Sequence, residues 1–157
     1  MNDAPVPGTI RPKAIGIFRS GSRILVGEMY DPAKQERFYC PPGGGIEFQE
    51  TSERALRREI KEELDAEIEN PTLLSILENI FTFDGGQAHE IVFVYDAELK
   101  DKKLYEIDQF EGIESDGHPY KAVWLDLNTL DNNTLPLYPD GLLDLLRGPK
   151  PHKRARD

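Results

Sequence analysis

An α/β fold is what the sequence predicts, on three observations. Short apolar runs rich in β-branched and aromatic residues alternate with turn signals over most of the chain. One segment, residues 51–64, carries a helical period instead, and a shorter one follows near the end. The 157 residues, 38% of them hydrophobic, suffice for one domain around one core.

Taken in order, KAIGIFRS and RILVGEMY read as two strands joined by Ser20-Gly21-Ser22, a hairpin signal. DPAKQER reads as a loop. FYC is a short strand running into PPGGG, which reads as irregular. Residues 51–64 form the first helix, with Thr51 or Ser52 as N-cap and Arg54 and Arg57 on its exposed side. After Asn70-Pro71, LLSILENIFTF is a long strand with a bend. Asp84-Gly85-Gly86 is a turn, and HEIVFVYDAEL is the clearest strand in the chain. Residues 101–118 are acidic and weakly periodic, and read as a lid or substrate loop. KAVWLDL is a strand returning to the core with Trp124, and PDGLLDLLR is a short amphipathic helix. This order predicts helices covering a largely antiparallel or mixed sheet. Residues 1–10 read as a flexible lead-in, 11–147 as the folded domain, and 148–157 as a flexible basic tail.

Formal net charge is −10, from 29 acidic against 19 basic residues. That argues against a nucleic-acid polymer as partner, since such binders present a basic face. Small phosphorylated ligands stay open, because a bound metal reverses the local sign. The single cysteine, Cys40, leaves no intramolecular disulfide to form and suits a small half-buried side chain. No signal peptide or membrane-spanning run is read, so the expected location is the cytoplasm, with no membrane partner.

Residues 51–64 repay inspection by angle. With Leu56 at zero, Leu56, Ile60 and Leu64 fall within roughly 80° of one another and form a core-facing stripe. Arg54, Arg57, Arg58 and Lys61 fall at roughly 100 to 200°, and Glu62, Glu59 and Glu63 at roughly 240 to 340°. The charges are sorted by sign, whereas a solvated helix gains from interleaving opposite charges at i,i+4. Glu59 and Glu63 are a like-charged i,i+4 pair. Three carboxylates beside the apolar stripe suggest a cation among them, and oxygen donors alone suit Mg²⁺ or Mn²⁺ rather than zinc. A solvated acidic face is the competing reading. The preceding Pro41-Pro42-Gly43-Gly44-Gly45 weighs against it, because glycines let backbone approach a ligand closely.

The stretch from Gly44 to Ala66 resembles the Nudix box, G-x5-E-x7-R-E-U-x-E-E-x-G-U, where U is a bulky apolar residue. Gly44, Glu50, Arg58-Glu59-Ile60 and Glu62-Glu63 match at their fixed spacing. Asp65 stands where the family has Gly, and Ala66 is smaller than the usual final residue. Asp tolerates the left-handed conformation that the Gly would serve, so this departure touches stability rather than chemistry. The resemblance covers residues 12–147 and implies a Nudix-like α/β/α sandwich with a mixed sheet. It implies a pyrophosphatase that hydrolyses a nucleoside diphosphate linked to another moiety X, using Mg²⁺ or Mn²⁺. Glu59, Glu62 and Glu63 would be the metal ligands, with the Gly44 carbonyl beside them. Glu50 and Arg58 would be a structural ion pair. Glu63, Glu62 and Glu90 are the candidates for activating water. The partner implied is a small nucleotide derivative, and a homodimer is the common assembly of the fold.

Other residues carry weaker signals. Glu90 interrupts an apolar strand, where an unpartnered carboxylate is costly. His89 reads as a surface histidine at a strand end, and Glu47 as solvent-facing or a ligand through water. Arg37, Phe48 and Tyr120 are candidate substrate contacts, with Arg19, Arg23, Phe38 and Tyr39 behind them; each alone reads more simply as surface charge or core. Two other functions compete: a nucleotide sensor of the same fold without turnover, and isomerase chemistry on an isoprenoid diphosphate, for which Cys40 alone is poor support.

Overall fold

The computed structural model describes residues 6–113, 117–130 and 136–148. Half of the expected lead-in and all of the basic tail beyond Gly148 lie outside the described residues. Strands β1 (Ile10–Ile17), β5 (Gly43–Gly45), β6 (Ile68–Phe83) and β7 (Gly86–Leu99) form one sheet in the order β5-β1-β7-β6. It is mixed, because β1 and β7 run parallel while the other pairs are antiparallel. Strands β2 (Arg19–Ser20), β3 (Arg23–Asp31), β4 (Glu36–Cys40), β8 (Gln109–Ile113) and β9 (Pro119–Asp126) form a second, antiparallel sheet.

Strand alternation decides where the helices go. Ala14 of β1, Leu25 of β3, Tyr95 and Ala97 of β7, and Ala122 of β9 share one core cluster with Leu56 and Ile60 of helix α1 (Ser52–Leu64). Their strand neighbours Ile15, Ile24, Val26, Val92 and Val94 turn the other way and pack with Leu142, Leu143 and Leu146 of helix α2 (Leu142–Arg147). Each helix covers one face, which makes the α/β/α sandwich. The core stripe of α1 is as expected, with Leu56 and Ile60 fully buried and Leu64 nearly so. Each full burial contributes about 2 kcal/mol, enough to seat an otherwise charged helix. No helix among the described residues is long and apolar enough to cross a membrane.

Several boundaries differ from the sequence reading, each for a physical reason. PPGGG is not irregular throughout: its three glycines form β5 against β1, with Ala14 opposite Gly44. Ladder hydrogen bonds need only backbone, so absent side chains do not prevent a strand. The first hairpin is β2 with β3, not β1 with β3; the chain leaves the first sheet at Phe18, whose carbonyl accepts from the Leu25 N–H at 3.1 Å, and Arg19 and Ser20 pair back on β3. The DPAKQER loop shrinks to its middle, since Asp31 ends β3 and Glu36 and Arg37 begin β4. Asn70 and Pro71 lie inside β6, where the register shifts between Glu69 and Thr72, with Asn70 at φ 53°. Residues 101–118 are not one loop. A short 3-10 helix, Lys102–Glu106, and β8 occupy much of the segment, and β8 is hydrogen-bonded to β9. Trp124 is half-buried, stacks on Tyr105 at 5.7 Å and donates from Nε1 to the Ile107 carbonyl at 2.8 Å.

Helix α1 starts at Thr51, whose side chain accepts from the Arg54 N–H at 3.2 Å. It ends at Asp65, left-handed at φ 48°, whose N–H donates to the Lys61 carbonyl. Lys61 also pairs with the Asp65 side chain at 2.6 Å, and this holds the exposed carboxyl below the usual aspartate range. Glycine adopts φ > 0 without the Cβ strain. We therefore expect Asp65→Gly to raise the melting temperature by a few degrees, despite losing the exposed Lys61 pair. Thermal unfolding followed by circular dichroism checks this, and a fall would show that the pair outweighs the backbone strain.

Candidate active site

The motif residues meet where α1 crosses the glycine strand. Arg58 is the hub. Its Nε and Nη2 donate to the two Glu50 oxygens at 2.8 and 3.0 Å, a bidentate pair, and Nη2 also donates to the Gly45 carbonyl at 2.9 Å. Nη1 donates to Glu59 at 2.9 Å and to Glu62 at 3.4 Å, and Glu47 lies 4.0 Å away. The hydrogen bond from Arg58 is the main reason that the Glu50 carboxyl sits below the usual glutamate range; partial burial opposes it, and the Glu47 N–H assists. The guanidinium is in turn held charged more firmly than an ordinary arginine, first by Glu50.

This corrects one detail of the helical wheel. Arg58 belongs to the acidic cluster, not to the basic face, and relieves much of the repulsion there. Glu59 is buried, and its carboxylate lies against Gly44, where an added Cβ would stand 2.5 Å from Cδ. Glu63 is half-buried and accepts from the Gly43 N–H at 3.3 Å, while Glu62 is half exposed.

The register of β5 also redirects the glycine backbone. Bonds from Gly16 N–H to Pro42 and from Ile46 N–H to Pro12 flank the Ala14–Gly44 pair. Antiparallel alternation then turns the Gly44 N–H and C=O toward Ala14, and those of Gly43 and Gly45 outward to the helix. Gly44 therefore serves the cluster through its missing side chain, rather than through the carbonyl expected of it. Among the described residues no three His, Cys, Asp or Glu side chains converge on one point as they stand, since Arg58 draws Glu59 and Glu62 while Glu63 turns to Gly43. The donor chemistry still fits a hard cation: three carboxylates of one helix, without nitrogen or sulfur, beside close glycine backbone.

Glu90 is not brought together with these glutamates. It is buried on β7, and lies 3.6 Å from Lys13. It shares its sheet face with Val92 and Val94, opposite the face that meets α1. Phe48 is 94% exposed, and Arg37 is exposed on β4. Tyr120 is buried in the α1-side core against Gly27, not open to a ligand. His89 is half-buried within β7.

A cavity of ≈110 Å³ opens on the α2 side, lined by Glu90, Lys13, Asn79, Asp31 and Cys40 among others. Its aromatic wall is Phe38 against Phe83 at 6.0 Å, with Tyr138 5.6 Å from Phe38 and 6.5 Å from Phe81. Asp31 fastens one end. It accepts from Ala33 and Lys34 in its own turn and from the Asp84 N–H in the β6–β7 turn, at 3.0 to 3.2 Å. Burial works to raise its pKa, but these three donors and Lys34 outweigh that and keep the carboxyl below the usual range. Asn79, Asp31 and Lys13 were not singled out from sequence. Asn79 did carry a signal, because it interrupts an apolar strand just as Glu90 does.

A family model described as the NUDIX domain matches residues 10–143. The chain belongs to the Nudix family. Membership makes it a pyrophosphohydrolase, acting in general on nucleoside diphosphates linked to a further group. No curated protein matches it in sequence. Among solved structures, it is similar to a MutT NUDIX hydrolase from Burkholderia pseudomallei, with 24% identity, a TM-score of 0.57, and 88% of this chain and 97% of that one covered. A NUDIX hydrolase from Nitrosomonas europaea aligns at 13% identity and a TM-score of 0.62, covering 88% and 87%. The mutator MutT protein from Bacillus halodurans aligns at 18% and 0.56, covering 88% and 80%. At such identities the likeness concerns the Nudix fold.

Removing Arg58 takes from buried Glu59 the guanidinium that donates to it at 2.9 Å, and from Glu50 its bidentate partner. Arg58→Ala is expected to cost roughly 3 kcal/mol in urea unfolding. The Glu50 pKa is depressed in the fold, so its contribution is complete above the unfolded pKa and is lost as pH falls through the folded one. Wild-type stability should therefore drop below the usual glutamate range, and Arg58→Ala should flatten that drop. An unchanged acid profile in the variant would count against Arg58 as the hub.

Proposed function

We propose that the protein hydrolyses the diphosphate linkage of a small nucleotide derivative with a divalent ion, Mg²⁺ or Mn²⁺, held on Glu59, Glu62 and Glu63. The observation that carries this reading is the placement of Glu59 and Glu63 of α1 against a strand of bare glycine backbone, with Glu62 beside them on the same helix. A bound divalent ion supplies charge neutralisation for the diphosphate and a lowered pKa for a water.

The chain's own residues do the rest. Glu50 and Arg58 hold the loop before α1 to the helix and set the distance between the glutamates and β5. Glu59, buried and engaged by Arg58, serves as a ligand rather than as a base. Glu63 turns toward the outward amide of Gly43 and accepts the proton of the attacking water as general base. Glu62, half exposed on the next turn round, completes the set. Glu90, on the other face of the sheet, takes no part in water attack.

Chelation should abolish turnover and Mg²⁺ should restore it, in a screen of nucleoside diphosphate derivatives that reads released phosphorylated products. Glu63→Gln should lower kcat by about 10²- to 10⁴-fold with an unchanged melting temperature. Full turnover in that variant would transfer the base to another residue. Turnover indifferent to chelator would defeat the metal reading, and binding without turnover across the panel would favour a sensor.

A further inference from the structure

Two turns from different sheets approach each other at one end of the cavity. The β3–β4 turn, residues 32–35, belongs to the second sheet, and the β6–β7 turn, Asp84 and Gly85, to the first. No ladder joins β3 or β4 to β6 or β7 among the described residues. What crosses between the turns is carried by side chains. Asp31, at the end of β3 and 3% exposed, accepts through Oδ1 from Ala33 and Lys34 of its own turn and from the Asp84 N–H of the other at 3.2 Å. Lys34 crosses too: Nζ donates to the Thr82 carbonyl at 2.6 Å and stands 3.8 Å from Asp31 Oδ2. Phe38 meets Phe83 edge-on at 6.0 Å. Asp84 and Gly85 form a two-residue turn, both at positive φ, closed by the pair Phe83–Gly86. In such a hairpin the closing pair is hydrogen-bonded, so the next residue, Thr82, points its carbonyl out of the ladder. Both backbone groups that the second sheet engages, the Asp84 N–H and the Thr82 C=O, are therefore ones that the first sheet does not use itself. Asp31, Phe38, Thr82 and Phe83 all line the cavity, and Cys40 lines it further along β4.

We propose that Asp31 and Lys34 form a clasp that opens and closes this end of the cavity, by releasing the β6–β7 turn from the β3–β4 turn while each hairpin stays whole. Opening breaks no ladder bond. Asp31 keeps the two N–H donors of its own turn and the nearby Lys34 ammonium, so its carboxylate is never left without partners. The freed Asp84 N–H and Thr82 carbonyl belong to exposed residues, where water replaces the lost partners. Residues 32–35 and 84–85 are exposed as well, so parting the turns uncovers little beyond the edge contact of Phe38 with Phe83. Segments of this kind open locally, well short of global unfolding. The clasp sets how fast any molecule enters or leaves the cavity, and it does so without reference to metal or hydrolysis.

The test reads opening in two ways, by amide hydrogen exchange followed by NMR and by the rate at which iodoacetamide alkylates Cys40. It compares wild type with Asp31→Ala, Asp31→Asn and Lys34→Met. In wild type the Asp84 amide should be protected, yet exchange about tenfold or more faster than the ladder amides of β6 and β7. Asp31→Ala should speed Asp84 exchange by about 10- to 100-fold and Cys40 alkylation by about tenfold, with the amides of α1 and β9 unmoved. Asp31→Asn keeps Oδ1 as an acceptor and should fall between wild type and Asp31→Ala. Lys34→Met removes the Thr82 contact alone and should accelerate both readouts in the same direction, which decides the matter if Asp31→Ala does not fold. Three results would each overturn the clasp. Asp84 exchange that keeps pace with the ladder amides in wild type would mean that the turns part only when the sheets unfold. A freed Asp84 amide with Cys40 alkylated at the wild-type rate would mean that Asp31 ties a turn without guarding the cavity. Acceleration spread evenly over α1 and β9 would mean that Asp31 and Lys34 serve global stability only.

Discussion

The bidentate pair between Arg58 and Glu50 is the interaction on which the site depends. One guanidinium closes two oxygens of Glu50 and the Gly45 carbonyl with one side, and engages Glu59 and Glu62 with the other. Helix, loop and glycine strand are thereby fixed to one another through a single planar group. Lysine would supply the charge but not the fork, because its ammonium cannot satisfy a carboxylate bidentately while reaching a carbonyl. The same contacts let like charges stand at i,i+4 on α1, an arrangement that would weaken the helix on its own.

The two faces of the sheet carry different groups. The face toward α1 carries the glutamates at its glycine edge, and the face toward α2 carries the aromatic cavity with Asn79 and Glu90. Alternation along β1 and β7 links them, since successive residues report to opposite sides. A one-residue slip of β7 would exchange Glu90 for His89 or Ile91 in the cavity and turn Val92 and Val94 from the α2 side to the α1 side. The length of β7 and its pairing on both edges make such a slip costly.

Local signals made α1 legible. Thr51 caps it, Leu56, Ile60 and Leu64 seat it, and the carboxylate spacing survives intact in the fold. β5 was not legible, because a run of three glycines gives no side-chain pattern and its strand character comes wholly from β1. The two residues of β2 were hidden in a longer apolar run, since nothing in KAIGIFRS marks where the chain changes sheets. β8 was obscured by its acidic surroundings, although Phe110 is buried beneath it. The cavity was beyond local reading, because it joins residues from Lys13 to Pro139 and exists only after both sheets have formed. Arg58 was misplaced for a related reason: a wheel gives the angle of Cα, and a long side chain sweeps well past it.

The glycine strand has a consequence for how this sequence can drift. A methyl group at Gly43 would run into the Ala14 carbonyl, at Gly44 into the Glu59 carboxylate, and at Gly45 into the Arg11 guanidinium. The first obstacle is rigid backbone, the second a carboxylate pinned by Arg58, and the third the end of a long side chain that can swing aside. Gly43 and Gly44 are thus closed to exchange, each for its own reason, and Gly45 is the position of the three with room to drift.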